Sequence, residues 1–323
     1  MAWLWAAVAA LSCGAVVFSD DFAFDPNQRG WRRHGNPELF QWNSTNANLA
    51  VIWDSRQPNT LFYRPLGTVL TMNDDFNFSF DLRLHDIAIA VDPSKPYTFQ
   101  IAVGLCRWAS ITNSNFFRGS GINATYGPRN LVEFNYFPDS GFGATVAPTV
   151  VSTNNRIRFS DNHPLELTPK DLYRVEMTYA ASNRVLHTFM TRNGEPFGPI
   201  QDLSLATFPD FRVDTFAVIS YNDGFQSPPQ FAGSILAHGV IDNVSWTVPG
   251  PPIGSISANF VATSLRFDFT GKSNWVYQLD RSTDLKSWTT VATNLALTTG
   301  PLSLTDLSPP NERAVYRVRA DRP

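Results

Sequence analysis

The residues with the most chemical capacity lie in one short run, Val132-Glu133-Phe134-Asn135-Tyr136-Phe137-Pro138-Asp139. Read as a β-strand, side chains alternate between faces, so Glu133, Asn135 and Phe137 share one face and Val132, Phe134 and Tyr136 the other. A carboxylate, an amide and an aromatic ring on one wet face make a surface that can face a sugar. The ring covers apolar C–H and the polar groups bond hydroxyls. The long polar segment from Arg107 to Asn130 adds Trp108, Phe116, Phe117 and Tyr126 among Asn, Ser and Gly. Structureless loops of this length are usually functional or disordered. Asn222-Asp223-Gly224-Phe225-Gln226 reads as a neighbouring rim. Glu133, Asn135, Phe137, Trp108, Tyr126 and Phe225 are therefore the candidate ligand contacts; the alternative is that Glu133 is a solvated or hydrogen-bonded sheet residue and that the loop aromatics fold back onto the sandwich as a lid. Asp20, Asp21 and Asp242 are candidate ligands for a structural calcium, which takes six to eight oxygens; the alternative reading is solvated acidic ends that cap a sheet edge. Asp20 and Asp21 are adjacent, so in a strand they point apart.

Other chemistries find no support in the spacing. The chain has no Gly-x-x-x-x-Gly-Lys-Ser/Thr, His-Glu-x-x-His, Gly-x-Ser-x-Gly or Cys-x-x-Cys. Its five histidines, His34, His85, His163, His187 and His238, are scattered without ligand spacing. Of two cysteines, Cys13 and Cys106, the first lies in an apolar leader, so no disulfide framework is expected. Cys106 closes an apolar strand and reads as a buried structural thiol.

The elements that must position these groups are strands. Phe76 to Leu84 alternates strictly, apolar at even positions and polar at odd ones, which is a half-buried strand. Leu172–Tyr179 repeats the pattern, a turn follows, and Val185–Arg192 returns to the turn signal Asn193-Gly194. Further strands read at Tyr97–Cys106, Leu131–Phe137, Val213–Tyr221 and Gly239–Val248, and no stretch has a capped helical period. Charged residues are 16% of the 323 and the net charge is −3, which offers no basic footprint for nucleic acid. The 13% aromatic content argues for a packed chain rather than a disordered one.

Residues 1–19 read as a signal peptide. Ala2 to Val17 is uncharged and apolar, too short to span a membrane, and is followed by Asp20-Asp21. Cleavage is expected after Gly14 or after Ser19, which makes the product secreted or extracytoplasmic with no transmembrane segment in the mature chain. Val248-Pro249-Gly250-Pro251-Pro252 is a stiff spacer. The expected order is thus a signal at 1–19, a large sandwich at 20–248, a Pro-rich linker at 249–253 and a small module at 254–323. In the last of these Trp288 is expected to fill the core against Tyr277, Tyr316 and Val318.

Three motifs in the large body resemble the concanavalin A-like lectin/glucanase superfamily, the jelly-roll group that includes laminin G-like domains. They are the opening Val16-Val17-Phe18-Ser19-Asp20-Asp21-Phe22, the hairpin running from Tyr173 to Gly194, and the closing Gly239-Val240-Ile241-Asp242-Asn243-Val244. The tail, with Tyr277 to Trp288 and Val315 to Ala320, resembles the fibronectin type III-like modules of exported bacterial proteins. The implied fold class is all-β: a large antiparallel jelly-roll β-sandwich plus a small C-terminal fibronectin type III-like β-sandwich. Laminarinase-type members carry Glu-x-Asp-x-x-Glu, two glutamates serving as nucleophile and acid. Glu133 matches the nucleophile, but Asn135 stands in place of the Asp and Pro138 in place of the acid. Legume-type lectins carry Val-Glu-Phe-Asp on a metal-ligating strand, and Asn135 departs from that too. The resemblance therefore implies a non-catalytic module that binds a polysaccharide or cell-surface glycan. Two alternatives stand beside it: a hydrolase or lyase drawing a second carboxylate from Asp81 or Glu176, and a purely structural envelope protein.

Overall fold

The computed structural model describes residues 15–89, 100–119, 127–139, 143–224, 234–250, 253, 255–310 and 313–322. The chain divides into two compact units, the larger Val17–Val248 and the smaller containing Pro249–Pro323. Among the described residues no helix is long and apolar enough to cross a membrane.

The first strands are β1 (Ala15–Asp20), β2 (Arg32–His34), β3 (Phe40–Asn43), β4 (Asn48–Asp54), β5 (Thr60–Leu70) and β6 (Phe76–Ile89). There follow β7 (Ile101–Cys106), the single helical turn α1 (Trp108–Ile111), β8 (Leu131–Phe137), β9 (Thr145–Val146), β10 (Thr149–Val151) and β11 (Ile157–Phe159). The unit closes with β12 (Tyr173–Ala180), β13 (Val185–Arg192), β14 (Glu195–Pro196), β15 (Leu203–Ser204), β16 (Val213–Ser220) and β17 (Ile235–Pro249). They build two sheets. One has nine strands in the order β14-β13-β12-β6-β17-β4-β3, with β1 on β17 and β15 on β13. The other has eight, in the order β11-β10-β8-β7-β16-β5-β2, with β9 on β8. The unit is an antiparallel jelly-roll β-sandwich.

The alternation that marked the strands also makes the core. Phe76, Phe78, Phe80, Leu82 and Leu84 of β6 are buried, and Asn77 and Arg83 are exposed. From the facing sheet come Val132, Phe134 and Tyr136 of β8 and Phe216 and Val218 of β16. Phe80 meets Phe134 edge to face at 5.7 Å, and Phe78 meets Phe216 at 5.9 Å. Such crossed rings across a sandwich add directional contact to the area they bury. The hairpin read around Leu172–Arg192 forms, with Tyr173 opposite Arg192 and Ala180 opposite Val185. Asn193 and Gly194 both take positive φ in the tight turn that follows.

Two boundaries differ from the reading of the sequence. The strand β1 begins at Ala15 and pairs with β17, so cleavage after Ser19 would remove paired backbone. The strand β17 runs through Pro249, so the first linker residue ends a strand.

The smaller unit contains β18 (Ser257–Val261), β19 (Ser264–Gly271), β20 (Trp275–Ser282), β21 (Thr289–Ala296), β22 (Gly300–Asp306) and β23 (Val315–Asp321). They form two three-stranded sheets, β18-β19-β22 and β21-β20-β23. Its core holds Leu265, Phe267, Phe269, Trp275, Tyr277, Leu279 and Leu304. Trp288, expected in that core, is outside it. It is half-buried in the segment before β21, with the Arg317 guanidinium 4.2 Å from its ring centroid. The indole that fills the interior is Trp275, 4% exposed.

Candidate functional site

The strand that carried the expected site forms as read, but its second face is dry. Glu133 and Asn135 are both 0% exposed. They point away from the sandwich core, opposite Gly104 and Ala102 of β7, and the segment after β7 roofs them. In that roof Arg118 Nε donates to Glu133 Oε2 at 3.2 Å. The Tyr221 hydroxyl donates to Glu133 Oε1 in a short hydrogen bond. Asn135 Nδ2 donates to Glu133 Oε2 at 3.4 Å, and Gln100 Nε2 donates to Asn135 Oδ1 at 2.8 Å. Both carboxylate oxygens are thus committed. Burial pushes the Tyr221 phenol well above its ordinary pKa, and the Glu133 charge adds to the shift. Burial does the same to the Cys106 thiol, reinforced by Asp214 and Glu133. Gly104 is required here, because a Cβ at that position would lie 2.3 Å from the Val132 carbonyl oxygen.

The aromatic residues of the roof pack inward rather than presenting a platform. Trp108 stacks on Tyr63 at 4.1 Å, and its backbone N–H donates to Asp214 Oδ1 at 2.8 Å. Phe116 stacks on Tyr221 at 6.1 Å, and its carbonyl accepts from Asn59 Nδ2 at 3.1 Å. Phe137 is half-buried at the end of β8. Tyr126 and Phe225 lie outside the described residues. The expectation of an open ligand surface on Glu133, Asn135, Phe137 and Trp108 is therefore corrected. The reason is that the loop's own apolar side chains gain more by covering the sheet than by facing water.

The three aspartates expected to hold calcium do not form a ligand set. Asp20 is buried, and its Oδ2 accepts from Arg29 Nε and Trp31 Nε1, each at 2.9 Å. Its Oδ1 accepts the Phe22 N–H at 3.0 Å, and Asp21 Oδ1 accepts the Ala23 N–H at 3.1 Å. A guanidinium already neutralises the most buried carboxylate. Among the described residues no group of three or more His, Cys, Asp or Glu can hold a metal ion. Asp81 and Glu176, the alternative partners for Glu133 in a hydrolase, project from the outer face of the other sheet. Across β6 and β12 Asp81 lies opposite Arg174 and Glu176 opposite Ser79, and Arg174 reaches Asp81 Oδ1 at 3.2 Å and Glu176 Oε1 at 3.7 Å. A whole sandwich separates them from Glu133.

The open site is on that outer face. A cleft of about 550 Å³ is lined by Asn43, Asn46, Asn48, Asp81, Arg83, His85, Asp242 and Asn243, with Ala50, Val240 and Leu172 as its apolar floor and wall. Register explains the gathering. Ala50 lies opposite Val240 and Asn43 opposite Asn48. Val240 in turn faces Arg83, and Asp242 faces Asp81. Directly opposed residues in an antiparallel pair share a face. Asn43 Oδ1 holds the tip of the β3–β4 turn by accepting the N–H groups of Thr45 and Asn46, each at 3.0 Å. Asp81 Oδ2 accepts from Asn243 Nδ2 at 2.8 Å, and Arg174 Nη1 donates to the Asn243 carbonyl at 2.7 Å. Two groups in the cleft remain under-used. Asn48 Oδ1 is buried and has no hydrogen-bond partner among the described residues. The Asp242 carboxyl is raised to about 6 by burial and by the negative charges of Asp81, Asp21 and Asp20.

Of this site the sequence reading singled out Asp242, as a metal ligand, and Asp81, as a hydrolase carboxylate. It missed the asparagines. Two signals were available: the Asn-rich turn Asn43-Ser44-Thr45-Asn46-Ala47-Asn48, and the polar phase of Phe76–Leu84 that puts Asp81 beside Arg83.

No family model matches the chain, and no curated protein matches it. Among solved structures it is similar to a peanut lectin with a nine-residue peptide, at 16% identity and TM-score 0.46 over 72% of this chain and 98% of that one. It is similar to a Lotus tetragonolobus seed lectin isoform at 15% identity and TM-score 0.45 over 73% and 100%. It is also similar to a legume lectin-like domain from Entamoeba histolytica at 9% identity and TM-score 0.39 over 69% and 94%. At these values the fold rests on the sheets themselves, and its structural neighbours are legume lectins.

Proposed function

We propose that this chain is an exported, non-catalytic carbohydrate-binding protein whose glycan site is the cleft on the outer face of the nine-stranded sheet. One observation carries the reading. Asn48 Oδ1 is a buried acceptor without a donor, placed in a cleft walled by further amides and carboxylates. A buried acceptor left unpaired costs about 1–3 kcal/mol, and turning the Asn48 amide toward a ligand hydroxyl in the cleft recovers that cost. Asn, Asp and Arg offer fixed planar pairs of donors and acceptors, which suit the vicinal hydroxyls of a sugar ring. The burial of Glu133 supports binding over hydrolysis, because a sealed carboxylate cannot meet a glycosidic bond. The apolar run from Ala2 to Val17 supports export, and cleavage after Gly14 keeps β1 whole. The two three-stranded sheets of the small unit support its reading as a fibronectin type III-like spacer or docking module.

The test is titration calorimetry of the full chain against neutral plant, algal and bacterial oligosaccharides, in parallel with Asn48→Ala and Asp242→Ala. Binding that weakens by roughly 1–3 kcal/mol in either variant supports the site. Absence of binding across the set overturns the reading, and reducing-end release by the wild type overturns its non-catalytic part.

A further inference from the structure

A second cleft, of about 260 Å³, lies along the open edge of the eight-stranded sheet. Arg156, Ile157, Arg158 and Phe159 line it, together with Thr207, Phe208 and Pro209 from the segment after β15. The strand β11 is terminal in its sheet and, among the described residues, pairs only with β10. Its Arg158 lies opposite Val150, Arg156 stands immediately before the strand, and both side chains line the cleft. Both arginines are exposed, and neither guanidinium has an ion pair or hydrogen bond among the described residues. By contrast Arg29, Arg56, Arg107, Arg118, Arg174 and Arg192 all hold carboxylates. The nearest acids along the chain are engaged elsewhere. Asp161 faces His163 at 3.5 Å, and Asp210 Oδ1 accepts the Met72 N–H at 3.0 Å. Beside the free cations, Phe159 keeps 54% of its surface exposed and Phe208 is buried in the cleft wall.

We propose that this edge cleft binds an anionic sugar unit, a ring bearing a carboxylate or a sulfate ester. The arginine pair holds the anion, and the Pro209 surface, from the segment after β15, covers the ring's C–H face. A guanidinium presents paired donors that match the two oxygens of a carboxylate or sulfate. Two of them without internal partners, in a chain of net charge −3, form a local cationic site against the overall balance. A cleft of this volume accommodates about one sugar ring. The strand edge is only three residues long, which gives an added peptide strand little ladder to extend. The assignment to a sugar rests on the carbohydrate-binding reading above, but the site and its residues are separate from the outer-face cleft.

The test uses the full chain and four probes: a tetragalacturonate, a sulfated galactan tetrasaccharide, a neutral galactan tetrasaccharide and a tetraglutamate peptide. Calorimetry is run on wild type, on the Arg156→Gln/Arg158→Gln double variant and on Asn48→Ala. The expected result is that at least one acidic saccharide binds at least tenfold more tightly than the neutral one. This preference falls at least tenfold in the arginine variant, weakens with added salt, and is kept in Asn48→Ala. The carboxylate and sulfate probes decide which anion is preferred. Equal affinity of wild type and arginine variant for both acids, or no binding of either acid, overturns the proposal. Tetraglutamate binding as tightly as the acidic saccharides overturns the sugar assignment. Failure of the outer-face reading shows separately, as neutral binding that Asn48→Ala leaves unchanged.

Discussion

Arg118 Nε lies 3.2 Å from Glu133 Oε2, with the guanidinium 9% exposed and the carboxylate not at all. The pair fastens the segment after β7 onto the sheet. Removing one member of a buried pair strands the other charge at a cost of about 3–5 kcal/mol, whereas replacing both with neutral groups costs far less. Arg118→Ala is therefore expected to lower stability by about that amount, and Glu133→Gln by a similar one. The double variant Arg118→Met/Glu133→Gln should recover most of the loss. Urea unfolding of the four proteins measures this, and additive losses would show that the pair is not coupled.

Asp242 gives the large unit a pH dependence with a definite sign. Its carboxyl is raised from an ordinary 3.8 to about 6 in the folded chain. Between those values the folded state holds more protons than the unfolded one, so stability falls as pH rises through the window and the deficit is complete above about 6. Asp242→Asn removes the deficit. The variant should be more stable than wild type at pH 7–8, by less than about 1 kcal/mol because solvent screens this half-buried group. The two should converge near pH 4. Thermal melts at half-unit intervals check the trend, and a variant less stable at pH 8 contradicts it.

In the small unit the two tryptophans should part company. Trp275 is 4% exposed in the core, whereas Trp288 is half-buried under Arg317. Trp275→Ala is expected to cost about 3–5 kcal/mol, as large-to-small core changes do. Trp288→Ala should cost about 0.5–1 kcal/mol, the worth of an exposed cation–π contact. Limited proteolysis of the full chain distinguishes them: cleavage within 255–322 should accelerate strongly in the first variant and slightly in the second.

Asp280 is the acid-labile point of the same unit. Burial by itself would raise its carboxyl. Hydrogen bonds from Arg319, Thr290 and Arg317 outweigh that and pull it down to about 2. A depressed carboxylate stabilises fully above its unfolded value near 3.8, and the contribution is lost as pH falls towards 2. Asp280→Asn should lower stability at pH 7 by roughly 1–3 kcal/mol, the scale for hydrogen bonds to charged partners. Its own melting profile between pH 4 and 2 should be flatter than that of wild type. An unchanged profile would show that the arginines hold Asp280 only loosely.

Strand positions were readable from the residues because a half-buried strand must alternate. The polar and apolar phases of Phe76–Leu84 and of the Tyr173–Arg192 hairpin settle which face is inside before any partner is known. The all-β class and the antiparallel pairing follow from that local rule. The fate of a polar face does not, because alternation says which side chains avoid the first core and says nothing about what covers the second side. Glu133 and Asn135 read as wet, yet the segment before β8 supplies Arg118, 15 residues from Glu133, and Phe116 as their roof, and Tyr221, 88 residues from Glu133, directly follows β16. In the small unit the strand pattern was legible, but the choice of Trp275 over Trp288 depends on which indole projects between its two sheets. The outer-face cleft depends on register across β3, β4, β17 and β6, which brings Asn48, Arg83 and Asp242 onto one surface from separate parts of the chain. Local periodicity is a property of neighbouring residues, whereas coverage and register are set by packing between distant ones, and only the tertiary structure decides them.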